Sequence, residues 1–241
     1  MALSAKTILI TGASQRIGRT LALACATAGA DIFLHYASSR AAADSTRAEI
    51  QALGRQAHLL PADLGDPLQA ASLIDRAWQI APVDALINNA AIFEQLDWQD
   101  TSLEAWQRHL QINLTAPFQL SQAFARRLDA DASGCIVNLL DWRALRPGAD
   151  HLPYTISKAG LAALTRSLAQ AFAPRIRVNA LALGAILPPS DGADTQGLLE
   201  NIPARRWAHL EEVSQAVLFL LDGAEYITGE IIHLDGGRHL V

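Results

Sequence analysis

The stretch that most constrains this chain is KTILITGASQRIG, residues 6–18. A short apolar strand, Thr7 to Ile10, breaks at Gly12 and runs into a helix that begins near Ile17 and continues through LALACATAGA. Strand, glycine-bearing turn and helix N-terminus together aim free backbone N–H groups and the positive end of the helix at one place, a cradle for phosphate. The pattern is T-G-x-x-x-R-x-G, so Arg16 stands where a dinucleotide fingerprint has its middle glycine and puts a guanidinium where a phosphorylated cofactor would lie. Ordinary turn chemistry would also explain Gly12 and Gly18, but the strand-turn-helix context favours binding.

The rest of the chain repeats this alternation. A second strand, Asp31 to Tyr36, ends in ASSR, and no acidic residue occurs from Ile32 to Ala43 to hold ribose hydroxyls as an NAD-preferring site would. Ser38, Ser39, Arg40 and Arg16 instead suit a 2′-phosphate, which indicates NADPH; the competing role for ASSRAAAD is a helix-capping loop. A helix from about Ala41 to Leu53, closed by Gly54, leads to the strand AHLLPADL, whose end places Asp63 and Leu64 at an adenine edge, with Asp63 equally suited to cap the next helix. The fourth strand, VDALINNAAIF, ends in Asn88 and Asn89, whose amides and following alanines admit a flat ligand, with Phe93 at the mouth or packed in the core. GCIVNLLD, RIRVNALALG and EIIHLDGG complete seven strands, and HLEEVSQAVLFLL is the last helix. This order predicts a single α/β domain over residues 1–241, a doubly wound parallel sheet with helices on both faces, with a mobile substrate lid around 184–206, AILPPSDGADTQGLLENIPARR after Gly184.

Chemistry concentrates between Leu139 and Lys158. The fifth strand delivers Asp141 at its C-terminal end, where open α/β sheets bind ligands. If Pro153 starts a helix, Tyr154 and Lys158 lie one turn apart on one face, and the ammonium should draw the phenol's pKa from about 10 toward neutrality. A helix from about Leu103 to Leu128 contains Asn113 and, four residues on, Pro117, which strips the Asn113 carbonyl of its helical donor and predicts a kink; a water between that carbonyl and Lys158 would relay protons to Tyr154. Asp141 beside Tyr154 raises both pKa values, so the pair tends to share one proton; capping a turn near Arg143 or Arg146 is the competing role for Asp141. Trp142 lines the pocket or packs. His151 reads as a turn residue, and the histidines are scattered without ligand spacing, so no metal site is expected.

Composition narrows the partners. With 241 residues, 51% hydrophobic and 18% charged, the chain can bury a full core, and a net charge of -5 argues against nucleic acid or an anionic membrane as main partner. Cys25 and Cys135 lie in apolar segments and read as buried small hydrophobes, which fits a reducing cytoplasm. Strand-like sequence by Thr7 leaves no room for a secretory signal, and no apolar run approaches spanning length.

TGASQRIG, NNAA, Asn113, YTISK and ITGEIIHLDGG together resemble the short-chain dehydrogenase/reductase family over nearly the whole chain. The resemblance implies a Rossmann sheet, a nicotinamide cofactor and a homotetramer. It makes Tyr154 the acid/base, gives Lys158 the ribose and the tuning of Tyr154, and gives Asn113 the proton relay. It extends the cofactor set from Gly12, Arg16 and Gly18 to Ser14, Ile17, Tyr36, Asn89, Ala90, Gly184 and Ile186. At the position 13 before the tyrosine the family normally carries serine, and here it is Asp141. That aspartate, the arginine in the glycine turn, Phe93 after NNAA and the ending DGGRHL look like the pteridine reductase subgroup, including dihydromonapterin reductases. There a pterin lies between nicotinamide and the equivalent of Phe93 and meets the equivalents of Arg16, Asp141 and Tyr154; Leu187 joins this substrate set. Leu183 departs from the subgroup's usual proline, and the tail from His239 to Val241 is expected to reach a neighbouring subunit. The expected activity is NADPH-dependent reduction of 7,8-dihydropterins, with dihydrofolate a further candidate. A carbonyl, quinone or cyclic-imine reductase and a non-catalytic NADPH-binding regulator are the alternatives.

Overall fold

The structure, a computed structural model, describes residues 3–188, 197–223 and 225–241. Seven strands, β1 (Thr7–Ile10), β2 (Asp31–Tyr36), β3 (Ala57–Pro61), β4 (Ala85–Asn88), β5 (Gly134–Asp141), β6 (Ile176–Leu183) and β7 (Ile231–Leu234), form one sheet in the order β3-β2-β1-β4-β5-β6-β7. All neighbours pair in parallel. The strands read as apolar runs because helices cover both faces of a parallel sheet. Alternation along each strand divides the core. Ile8, Ile10, Ile32, Leu34 and Ile87 pack with α1 (Arg16–Thr27), α2 (Arg40–Ala52) and α7 (Leu210–Asp222), while Leu9, Phe33, Leu86, Ile136 and Val178 pack with α3 (Pro67–Trp78), α5 (Ala116–Arg127) and α6 (Leu152–Phe172). Strand order reverses between β1 and β4, so the glycine turn and the end of β4 flank the crevice where such sheets bind ligands.

Several boundaries move. The helix expected from Leu103 to Leu128 is α4 (Leu103–Leu110), a π-helical turn (Gln111–Thr115) and then α5. Helical backbone runs unbroken from the π-turn into α5, so Pro117, which lacks an N–H, leaves a carbonyl of the preceding turn without its donor, and the break takes the form of a widened turn around Asn113. Asp66, next to Pro67, caps α3 by accepting from the Leu68 and Gln69 amides; Asp63 takes the Gly65 N–H at 2.8 Å. Of the expected lid, 189–196 lie outside the described residues. Its two ends are anchored: Ala204 N–H donates to the Gly236 carbonyl, Ala208 N–H to the Ala185 carbonyl, and Ile202 is buried. The tail from Arg238 to Leu240 is a 3-10 turn with His239 on Asp235 at 2.9 Å. Cys25 and Cys135 are buried, and burial pushes their thiols up to about 12 and about 11. Among the described residues, no helix is long and apolar enough to cross a membrane.

Candidate active site

The glycine turn is held from three sides. Gly12 has φ +63, and a Cβ on Gly18 would lie 2.0 Å from the Gly12 carbonyl oxygen, so only glycine lets α1 close on the turn. Arg16 adopts φ 51, the left-handed region that the fingerprint's glycine reaches without strain, and its guanidinium donates to the Pro188 carbonyl at 2.9 Å. Asn89 donates its side-chain amide to the carbonyls of Thr11 (2.8 Å) and Gly12 (3.2 Å), while the Thr11 hydroxyl accepts from the Asn89 and Ala90 N–H groups. Asn88 is turned into the sheet, donating to Asn138 at 2.8 Å. The amide N–H groups of both asparagines are thus spent on the scaffold, whereas donation to a ligand was expected of them. His35 completes the brace: Nδ1 accepts from Gly12 N–H at 3.0 Å and Nε2 faces the Ala62 carbonyl at 3.0 Å, which fixes the tautomer with its proton on Nε2. Burial lowers its pKa to about 4, so it is neutral.

At the end of β2, Ser39 occupies the cap position of α2 without a side-chain capping bond. Arg40 is exposed, on Asp44 at 2.8 Å and on the buried Tyr36 hydroxyl at 3.2 Å. Leu64 packs in the core, and its carbonyl takes the Gln111 amide at 3.1 Å. Gly184 sits where a Cβ would be 2.6 Å from the Asp235 Cα, Ile186 is in the core, and Ile17 and Leu187 pack against it.

Across the crevice, β5 and α6 bring Asp141, Tyr154 and Lys158 together. One Asp141 oxygen caps the turn Trp142–Ala144 by accepting Arg143 N–H at 2.9 Å, and the other lies 3.3 Å from the Tyr154 hydroxyl, so both roles weighed for this residue coexist. Burial raises the Tyr154 pKa well above the ordinary tyrosine value and the Asp141 charge adds to it. Of the two effects expected on this phenol, the rise beside Asp141 is present and burial adds the larger part, while the fall toward neutrality under Lys158 is absent, because the ammonium is directed to the Leu139 carbonyl at 2.7 Å. Burial also raises Asp141, against the Arg143 N–H and the Arg143 and Lys158 charges, and brings Lys158 down to about 8. The Asn113 side chain is a buried clasp, bonded to both the N–H and the carbonyl of Ile92 (2.9 and 3.0 Å) and to Ser157 Oγ (3.0 Å). It ties the loop bearing Phe93 to the helix bearing Tyr154.

Phe93 is 49% exposed, edge-on to Tyr154 (centroids 4.6 Å) and stacked on His151 (4.1 Å). Beyond Trp142, a cavity of about 530 Å³ is lined by Ile202, Pro203, Arg205 and Arg238.

Residues 12–239 match the family described as "Enoyl-(Acyl carrier protein) reductase". The 3-oxoacyl-[acyl-carrier-protein] reductase of a Synechocystis strain is 33% identical over 241 residues, with 98% of each chain covered. The chain belongs to the short-chain dehydrogenase/reductase family. Among solved structures, FolM alternative dihydrofolate reductase 1 from Brucella canis, complexed with NADP, is 32% identical with a TM-score of 0.92, covering 100% of this chain and 97% of that one. A short chain dehydrogenase from Burkholderia cenocepacia, in complex with NADP, is 33% identical with a TM-score of 0.93 and 99% coverage of both.

This member of the family is an NADP-dependent oxidoreductase. Its residues fit the cofactor: the Gly12–Gly18 approach leaves a bare backbone cradle, α1 has neither a side-chain cap nor an acidic residue in its first turn, and no carboxylate stands between Ile32 and Ala43. Two residues that the fold brings to the mouth were not singled out from the sequence as part of the site. His151 begins α6 in the left-handed region (φ 51) with Nδ1 on the Glu94 carbonyl at 2.9 Å; its spacing of three from Tyr154 on a helix start was the available signal. Arg143 entered only as the turn that Asp141 would cap, since its side-chain partner Asp150 comes from a loop.

Proposed function

We propose that this short-chain reductase uses NADPH to reduce 7,8-dihydropterins, dihydrofolate among the candidates, to the tetrahydro level. The observation that carries the reading is the Asp141 carboxylate 3.3 Å from the Tyr154 hydroxyl, beneath the half-exposed Phe93 ring. A carbonyl reduction develops an alkoxide, which a neutral donor stabilises and a carboxylate repels. A C=N reduction needs a proton delivered to ring nitrogen as the adjacent carbon is reduced, which a carboxyl-phenol pair sharing a proton supplies.

When bound, NADPH supplies the hydride. Gly12, Ser14, Ile17 and Gly18 would hold its pyrophosphate, Ser38, Ser39, Arg40 and Arg16 its 2′-phosphate with Tyr36 behind them, and Asp63 and Leu64 its adenine side. Asn89, Ala90, Gly184, Ile186, Tyr154 and Lys158 would border the nicotinamide end. Tyr154 and Asp141 hold the proton; Lys158 sets the field around them; Asn113 keeps Tyr154 and Phe93 in register. Phe93 offers a face to a planar ring, with Arg16 and Leu187 at its margin.

Absorbance-monitored NADPH consumption with 7,8-dihydromonapterin, dihydrobiopterin and dihydrofolate, beside ketones, quinones and 3-oxoacyl thioesters, each repeated with NADH, tests this reading. Fast dihydropterin turnover with NADPH is expected. Turnover of ketones or 3-oxoacyl thioesters alone would overturn it in favour of the activity named for the Synechocystis relative. Asp141→Ser should abolish most dihydropterin turnover; full turnover with an unchanged pH profile would remove Asp141 from the mechanism.

A further inference from the structure

The Arg143 side chain is 14% exposed and stands between the acid pair and the aromatic wall. Its Nη2 is 2.6 Å from an Asp150 oxygen, its Nη1 3.9 Å from Asp141 Oδ1, and its Nε is buried without a partner among the described residues. Its guanidinium carbon lies 5.0 Å from the Trp142 ring and 6.0 Å from Phe93. Asp150 in turn is 3.7 Å from His151 Nε2, the ring that stacks on Phe93. One cation is thus shared by two carboxylates, one structural and exposed, the other in the acid pair.

We propose that Arg143 is a positioning residue for the proton-donating pair: its backbone N–H turns Asp141 so that the second oxygen meets Tyr154, and Asp150 governs how much of the guanidinium's charge reaches Asp141. This rests on the reading of Asp141 and Tyr154 as the proton source. The charged and titratable groups around Arg143 are Asp141 from β5, Tyr154 and Lys158 from α6, Asp150 and His151 before it, and Arg238 from the C-terminal turn, itself near Asp235. The Arg143 charge opposes the upward displacement of both Asp141 and Tyr154.

Two substitutions should therefore act in opposite directions. Arg143→Gln removes the cation and should move the ionisation of the pair to higher pH, by roughly one unit for a charge at this range under strong screening. Asp150→Asn releases the guanidinium toward Asp141 and should move it to lower pH. Arg143→Lys keeps the charge and should hold the profile near the parent. The measurements are the pH dependence of kcat/KM on whichever substrate the enzyme turns over, and ultraviolet titration of Tyr154 in the NADP-loaded protein, with Tyr154→Phe as the blank for Tyr36 and Tyr226. Because the titration needs no substrate, it stands even if pterins are not reduced. Shifts of the same sign in Arg143→Gln and Asp150→Asn, or no shift in a folded Arg143→Gln protein, would overturn the proposal.

Discussion

The two walls of the crevice are built on opposite principles. On the glycine-turn side every polar side chain in the brace has a backbone partner: Thr11, Asn89 and His35 hold the turn, and the Thr46 hydroxyl donates to the Ser14 carbonyl at 3.1 Å. On the Tyr154 side charged groups face one another with their needs half met. Asp141 is raised by burial, Arg143 is divided between two carboxylates, and Phe93 presents nearly half its surface to solvent. The first wall stores shape, and the second stores protons. A satisfied brace resists change in geometry, whereas an incompletely paired cluster responds to the next charge or hydrogen-bonding ring that enters.

The largest effect expected is on the second wall. Tyr154→Phe removes the hydroxyl and leaves the ring that Phe93 packs against, so kcat should fall by about a thousandfold, within the range for a lost general acid. NADPH affinity, followed by fluorescence, should change little if the brace alone shapes the cradle. A parallel collapse of NADPH affinity would break the division between the walls.

How much of each wall could be read from the residues follows the same division. β1, β2 and β5 fall on the stretches expected, because a strand covered on both faces reads as a near-continuous apolar run, interrupted here inside the strands only by the buried His35 and Asn138. The turn from Gly12 to Gly18 was visible because its constraint is local: a Cβ does not fit. The π-turn at Gln111–Thr115 was not, since the sequence shows Pro117 but not that Asn113 is clasped by Ile92 and Ser157, 21 and 44 residues away. The missing fall at Tyr154 has the same origin. Spacing places Lys158 one turn on and brings Asp141 to the phenol, but only the folded β5 decides that the ammonium meets the Leu139 carbonyl instead of the phenol. Arg143 and Asp150 meet through a loop whose course no periodicity describes.

The next effect falls on the first wall and is one of stability. Replacing His35 by Phe fills the space but leaves the Gly12 N–H and the Ala62 carbonyl unpaired, at a cost of about 2 kcal/mol. Its pH signature is specific. The folded pKa of about 4 lies below the free value of 6.5, so the unfolded chain takes up a proton first. Stability from this residue is full above about 6.5, erodes as pH falls and is gone below about 4, a total of roughly 3 kcal/mol. Urea midpoints measured from pH 7.5 to 4 should therefore fall less steeply in His35→Phe than in the parent. Parallel slopes would mean that the brace does not depend on a neutral imidazole.

The smallest effect sharpens the comparison at its edge. Arg40 belongs to the cofactor wall by position yet resembles the other wall in kind, an exposed cation tied only to Asp44 and the Tyr36 hydroxyl. If it receives the 2′-phosphate, Arg40→Ala should weaken NADPH binding about tenfold, as for one lost charge-assisted bond, and leave NADH unchanged. Ser39→Asp should go further, placing beside the ribose the carboxylate that the segment from Ile32 to Ala43 lacks and turning the preference toward NADH. The ratio of kcat/KM with the two cofactors reads both variants. An unchanged ratio in Arg40→Ala would assign phosphate recognition to Arg16 in the turn itself.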